Sequence, residues 1–290
     1  MSGLRKVLPE LSIVDVWTDW EKMTRNTKFA DFRKIVRGQK IIGVDRRAKH
    51  ILIALKNGKT IVIHMKMTGH LLYGKYENAA GVWVPAQEEK NNALRDPFNR
   101  FIHFVFTLSN GKHLAFSDTR KFGYVVLTES ENILHSPLLS HLGPEPLLKN
   151  FTFLVFKTQI SKRPNMKIKT ALMDQTLISG IGNIYSDEIL WRACIHPEKQ
   201  VKKLSEKELR EIYKCIKPTL RRGIDFGGDS TSDYRNIFGE RGKFHENHEA
   251  YRRTGEKCGR RGCGGRIERR VVNGRSAHFC NHHQSLHART

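Results

Sequence analysis

Cys258-Gly-Arg-Arg-Gly-Cys263-Gly-Gly-Arg-Ile-Glu-Arg-Arg-Val-Val-Asn-Gly-Arg-Ser-Ala-His-Phe-Cys280-Asn-His-His283 is the stretch from which the fold is read. Two ligand pairs bracket it, with four residues inside the first, two inside the second and sixteen between Cys263 and Cys280. That spacing lets two knuckles close one tetrahedral zinc site. The intervening residues alternate apolar and polar from Ile267 and turn at Asn273-Gly274, a strong hairpin signal. We therefore expect a zinc-clamped two-stranded ribbon, with Arg275 just past its tip. Cys258, Cys263, Cys280 and His283 are the expected ligands of one structural Zn2+, in a Cys3His set. His282 and His287 compete for the fourth place, and a disulfide or free thiols are the bland alternative.

Outward from the ribbon, the chain is strongly basic. The 290 residues carry 51 Lys and Arg against 29 Asp and Glu, a net charge of +22. Residues 241–290 alone hold 12 Lys and Arg against 4 Asp and Glu, which is denser than the chain as a whole. A polyanion is the expected partner and the ribbon a phosphate-facing surface. No apolar run is long enough to span a membrane, and no signal-type run follows the first residues. Three of the five cysteines belong to the ribbon, while Cys194 and Cys215 stand in helical text. That usage suits a reducing cytoplasm.

Toward the N-terminus, residues 4–8 read as the end of a helix closed by Pro9, and 28–37 as a helix stopped by Gly38. Strand candidates follow at 40–46, 50–56, 60–66, 70–76, 100–108, 112–117 and 123–128, with turns at Asn57-Gly58 and Asn110-Gly111. Short strands joined by such turns predict a β-sandwich or barrel over roughly 10–132. The polar stretch 77–99 reads as a long loop. Gly143-Pro144-Glu145-Pro146 marks a linker, and 151–162, 168–174, 183–193 and 205–222 read as helices. Residues 229–250 read as an irregular run.

Two stretches carry more than fold information. Ile178-Ser-Gly-Ile-Gly-Asn-Ile-Tyr-Ser-Asp-Glu enters a helix at Asn183 through Gly180 and Gly182. Such an entry can present backbone N–H groups to an anion, although an ordinary capped turn has the same look. Asp118-Thr-Arg-Lys-Phe-Gly123 sets an arginine and an aromatic side by side at a strand end. That pairing suits a wedge into a base stack, or equally a solvated turn above a core phenylalanine.

Together with Arg46-Arg47-Ala48-Lys49, His64-Met65-Lys66-Met67-Thr68-Gly69 and Gly274-Arg275-Ser276, these motifs resemble those of the formamidopyrimidine-DNA glycosylases and the related endonuclease VIII-like enzymes, from about residue 11 to 283. The resemblance implies a multidomain α+β protein. It has an N-terminal β-sandwich (1–132), a linker (133–150), a helical domain with a helix–two-turn–helix (151–228), a lesion-capping loop (229–250) and a C-terminal zinc β-ribbon (251–290). It implies a monomeric, cytoplasmic, nucleoid-associated bacterial enzyme acting on damaged double-stranded DNA. The enzyme would excise oxidised purines and nick the strand by β,δ-elimination. By the same resemblance, Met67 and Phe122 wedge the stack, Arg120 bonds the orphaned cytosine, and Lys49, Asn183 and Arg275 hold phosphates.

One departure stands out. Family members open with Pro-Glu, whose free proline amine attacks the sugar, whereas this chain reads Met1-Ser2-Gly3. Pro9-Glu10-Leu11 imitates the signature, but its nitrogen is locked in a peptide bond. A late start that omits the catalytic amine is the expected account, leaving Lys49 as an assisting amine. A non-catalytic damaged-DNA binder of the same fold, and a zinc-ribbon RNA-binding protein, are the alternatives.

Overall fold

The computed structural model describes residues 1–231 and 233–286. It contains two compact units, Met1–Ser140 with Gly227–Lys243, and His141–Phe226 with Phe244–Thr290.

The first unit begins with helix α1 (Ser2–Val7), whose Leu4 is buried with Leu8 just beyond it. Then come β1 (Ile13–Thr18), β2 (Thr24–Arg25), helix α2 (Phe29–Val36), β3 (Ile41–Arg47), β4 (His50–Leu55), β5 (Lys59–His64), β6 (His70–Gly74), β7 (Tyr76–Ala79), β8 (Val82–Pro85), β9 (Ile102–Leu108), β10 (His113–Ser117) and β11 (Tyr124–Glu129). Two sheets form, in the orders β1-β9-β10-β6 and β2-β11-β5-β4-β3. All named pairs are antiparallel except β2 with β11. Side chains of alternate residues meet between the sheets: Phe104, Phe106 and Phe116 from one, Ile53, Ile61, Ile63 and Val125 from the other, with Phe32 of α2. This is a β-sandwich.

Residues 77–99 differ from the expected loop. β7 and β8 form a hairpin around Ala80-Gly81, and single 3-10 turns follow at Asn92–Arg95 and Pro97–Asn99. The reason lies on the outer face of the four-stranded sheet. Leu72, Val105 and Ala115 point outward there, and Tyr76, Leu94 and Trp83 cover them in a second, smaller core. The sequence hides this because β7 is mostly polar and β8 exposes Val82 and Val84 while turning Trp83 inward, which leaves no ordinary apolar–polar alternation to read.

Residues 229–250, read as one loop, divide in the structure: the segment through Lys243 belongs to the first unit. Arg235, only 2% exposed, makes a double hydrogen bond to Asp96 and lies over the Phe98 ring. Ile237 enters the sandwich core, and its carbonyl accepts the Tyr73 N–H at 2.6 Å.

The second unit holds α3 (Phe153–Ser161), α4 (Ile168–Met173), α5 (Asn183–Ala193), α6 (Glu206–Asp225), β12 (Ile267–Val272) and β13 (Arg275–Cys280). Ser205 and Glu208 start α6 with a reciprocal capping box. Its buried positions Leu209, Ile212, Ile216, Thr219 and Gly223 recur at helical spacing. At Gly223 an added Cβ would come within 2.1 Å of the Tyr185 hydroxyl and 2.6 Å of its ring. β12 and β13 pair antiparallel about Asn273-Gly274, both with positive φ, the turn that Asn-Gly prefers. No described helix is long and apolar enough to cross a membrane.

Candidate functional site

In the first unit, two loops are tied together by one buried carboxylate. Asp118 accepts hydrogen bonds from the Thr68 hydroxyl, from the Gly123 N–H at 2.7 Å and from the Arg120 N–H at 3.3 Å. Gly69 and Gly123 both pack on Phe116, where an added Cβ would come within 2.6 and 2.4 Å of the ring. Loops 65–69 and 118–123 are thereby held side by side. Their tips present Met67, 64% exposed, and Phe122, 49% exposed. Arg120 lies between them, with Nη1 3.5 Å from the Met67 sulfur and its guanidinium 4.5 Å from the Phe122 ring centre. Two large exposed apolar side chains clustered on one cation form a binding surface rather than a core.

Lys49 is exposed on the two-residue turn between β3 and β4, where Ala48 takes positive φ. Beside it stands an aromatic cluster. His64 stacks on Tyr124 at 5.3 Å, His50 meets His64 edge-on at 4.6 Å, and His50 Nε2 lies 3.2 Å from the Tyr124 hydroxyl. Arg25 and Lys66 lie over the Tyr124 ring at 4.2 and 5.3 Å. Burial, followed by His50, Lys66 and Lys49, lowers the His64 pKa from its usual 6.5 to about 3. His64 is thus neutral near pH 7. Its Nδ1 accepts the Lys66 N–H at 2.9 Å, so Nε2 carries the ring hydrogen. His64 sits within a motif quoted above, but Tyr124 and Arg25 carry no sequence signal of their role.

In the second unit, Gly180 (φ 99) and Gly182 lead into α5, and Asn183 is its first residue. The Asn183 amide nitrogen lies 3.3 Å from the Ser276 hydroxyl, and its buried Oδ1 has no partner among the described residues. Ser276 follows Arg275, which is exposed at the start of β13. Helix entry and hairpin tip are therefore neighbours.

A buried polar network fixes that neighbourhood. Asp187 on α5 and Lys169 on α4 form an ion pair, both 1% exposed. The second Asp187 oxygen accepts the His278 N–H at 2.9 Å and lies 2.9 Å from its Nδ1. Burial lowers the Lys169 pKa against the opposing pull of Asp187. Glu188 accepts the N–H groups of Glu249, Ala250 and Tyr251 at 2.8, 3.0 and 2.9 Å. In sequence, Asp187 and Glu188 look like surface charges of a first helical turn. Both are in fact buried, and their distant partners left no local pattern to read.

Cys258, Cys263, Cys280 and His283 converge, with ligand atoms all within 4.8 Å of one another. His283 approaches through Nδ1, 3.3 Å from the Cys258 sulfur and 3.6 Å from that of Cys263. Its Nε2 lies 3.1 Å from the Trp191 carbonyl. The competing His282 comes within 3.6 Å of Cys263 but gives its backbone N–H to the Cys280 sulfur. His287 lies outside the described residues. The four converging side chains can hold a metal ion.

Comparison with known proteins agrees with these features. The family model for the formamidopyrimidine-DNA glycosylase N-terminal domain matches residues 1–125, and that for the formamidopyrimidine-DNA glycosylase H2TH domain matches 142–235. The formamidopyrimidine-DNA glycosylase of Heliobacterium modesticaldum is 39% identical over 249 residues, covering 86% of this chain and 83% of that protein. Among solved structures, the complex of Lactococcus lactis Fpg with abasic-site DNA matches with a TM-score of 0.82 at 30% identity, covering 97% of this chain and 94% of that one. The complex of the wild-type Lactococcus lactis protein with N7-benzyl-Fapy-dG DNA matches with a TM-score of 0.81 at 31% identity over the same shares. The chain belongs to the formamidopyrimidine-DNA glycosylase family, a family of DNA-repair enzymes.

Proposed function

We propose that this protein excises oxidised purines, 8-oxoguanine and formamidopyrimidines, from duplex DNA and nicks the strand at the resulting abasic site. The observation that carries the reading is the exposed Met67–Arg120–Phe122 cluster. A base must leave the stack before its sugar carbon can be attacked, and the vacated space must be filled. Met67 and Phe122 supply apolar wedges, and the fixed donors of Arg120 suit the acceptor edge of the cytosine left behind. The complexes of the Lactococcus lactis relative with abasic-site and N7-benzyl-Fapy-dG DNA support this substrate class.

Lys49, Asn183 and Arg275 serve as phosphate contacts. The Asn183 amide reaches the Ser276 hydroxyl beside the exposed Arg275, which supports placing the two on one phosphate-facing surface. In excision an amine nitrogen bonds to the sugar carbon as the glycosidic bond breaks and the base leaves. Elimination then cuts the strand. By resemblance, the family's amine is that of an N-terminal proline beside a glutamate. Lys49 is the amine carried over by resemblance, in an assisting role.

The metal site takes one structural zinc ion. Zinc–sulfur bonds of about 2.3 Å in a tetrahedron require ligand separations near ~3.7 Å, a little less where nitrogen is involved. Three of the six separations among Cys258, Cys263, Cys280 and His283, at 3.3 to 3.6 Å, are close to that requirement, and all six lie within 4.8 Å. The Nε2 contact with Trp191 leaves Nδ1 for the metal.

The reading is tested with these residues preceded by a family-type Met-Pro-Glu opening, by excision from a duplex holding one 8-oxoguanine opposite cytosine. Joint Met67→Ala and Phe122→Ala replacement is expected to slow excision ~10–100-fold, the equivalent of a few kcal/mol of unstacking. Cleavage of a preformed abasic site should change much less, because no base has to be evicted. Equal losses on both substrates would remove the wedge role.

A further inference from the structure

A groove on the second unit holds about 440 Å³ and contains none of the residues carried over from the family. Its walls are the segment after the Gly143-Pro144 turn and one side of α6. Pro146, Leu148 and Pro218 give it an apolar surface, and Leu148 is 52% exposed. Lys149, Lys217 and Arg221 surround that surface, and among the described residues none of the three forms an ion pair. This differs from the neighbouring Lys214, which is neutralised by Glu211 at 2.7 Å. Pro218 lies inside α6 and has no N–H, so the Lys214 carbonyl lacks its helical donor.

We propose that this groove binds an acidic peptide segment of another protein, anchored by one bulky apolar side chain. Lys217 and Arg221 are four residues apart on the helix, about 6 Å along its axis. Alternate residues of an extended peptide are spaced about 6.6 Å apart and point the same way, so two carboxylates at i and i+2 match the pair of cations. The apolar surface accommodates a side chain further along the same face of that peptide, at i−2 or i+4, and the Lys214 carbonyl offers an acceptor for a peptide N–H. A phosphate backbone would use the cations but has neither an apolar anchor nor a donor for that carbonyl. The inference does not depend on the excision chemistry.

The test uses the full zinc-loaded chain and a fluorescein-labelled synthetic decapeptide with alternating aspartates around a central Phe-Leu pair. Anisotropy at low salt is expected to give a Kd on the order of 10–100 µM. Replacing Phe-Leu by Ala-Ala at constant charge should weaken binding at least ~tenfold, as should Leu148→Asp or the pair Lys217→Glu with Arg221→Glu. Affinity of these variants for undamaged duplex DNA should stay unchanged, which also reports that they are folded. Equal binding of the Phe-Leu and Ala-Ala peptides, or no saturable binding at all, would overturn the proposal. Loss of DNA affinity in the charge-reversed variant would reassign the groove to the DNA surface.

Discussion

Replacing Asp187 by Asn strikes the second unit where three of its elements meet. Asp187 neutralises Lys169 through one oxygen and holds the His278 N–H through the other, with both charged side chains 1% exposed. Asparagine is nearly the same shape but offers one acceptor and one donor group, so it can serve His278 or Lys169, not both. Lys169 then keeps only the Ser186 hydroxyl, 3.1 Å away. Breaking a buried pair from one side costs ~3–5 kcal/mol. The lysine can escape by shedding its proton, which from a reference near 10.4 costs ~4 kcal/mol at pH 7.5 and sets a ceiling. We therefore expect a loss of ~3–4 kcal/mol, a fall of ~10–15 °C in the midpoint of this unit. Differential scanning calorimetry of the zinc-loaded protein reads it directly. Adding Lys169→Met removes the stranded charge and should recover most of the loss. A fall of less than ~3 °C, or a double variant no better than the single one, would refute the argument that an uncompensated lysine is the cause.

Two further outcomes follow from the same unit. Arg275→Ala should weaken binding to lesion-bearing and plain duplex alike, since phosphate contacts do not read sequence, and should reduce the log–log salt slope by about one. A variant with the wild-type slope would exclude Arg275 from the phosphate contacts. Cys280→Ser should lower bound zinc, measured by mass spectrometry of the metal, well below one ion per chain and destabilise the hairpin. Unchanged zinc content would mean that a different set of atoms holds it.

Much of the architecture is legible because it is written in local patterns. The strands of the sandwich and of the C-terminal hairpin announce themselves by short β-branched runs beside Asn-Gly turns, and the structure gives Gly58 and Gly111 in the first, and Gly274 in the second, the positive φ those turns require. Met67, Arg120 and Phe122 can be named in advance only through the resemblance of their motifs to the family's. What sequence does not contain is the reason they meet, the buried Asp118 that bonds Thr68 fifty residues away. The same limit hides Arg235. It lies in a run of Ser, Asp, Asn and Gly that looks solvated, yet its partner Asp96 is 139 residues distant and buries it. Lys169, Asp187 and His278 escape for that reason too, since a charge at helical spacing looks solvent-facing until its long-range partner is known. At the metal site, spacing leaves His282 and His283 in competition. The structure brings His283 rather than His282 into the group whose ligand atoms lie within 4.8 Å of one another, with His283 Nε2 on the Trp191 carbonyl.

The central claim, damage-directed excision through an amine, is tested most directly by borohydride trapping on duplex DNA holding one 8-oxoguanine opposite cytosine. Borohydride reduces only a Schiff base, so a covalent adduct reports attack of an amine on the sugar. At pH 7.5 an α-amine of pKa near 8 is about a quarter free base and an ordinary lysine about a thousandth, a ratio of ~200. These residues preceded by a family-type Met-Pro-Glu opening are therefore expected to release the oxidised guanine and to give an adduct at the proline. The 290-residue polypeptide beginning at Met1 also carries an α-amine, its pKa lowered by burial and then by Arg5 and Arg46. It is expected to bind the same duplex and to be trapped far less because it has no proline–glutamate pair aimed at the sugar, not because its amine is protonated. Equal excision and trapping by the two would falsify the requirement for that opening. A Met-Pro-Glu form that leaves the oxidised guanine in place and forms no adduct would contradict the account itself.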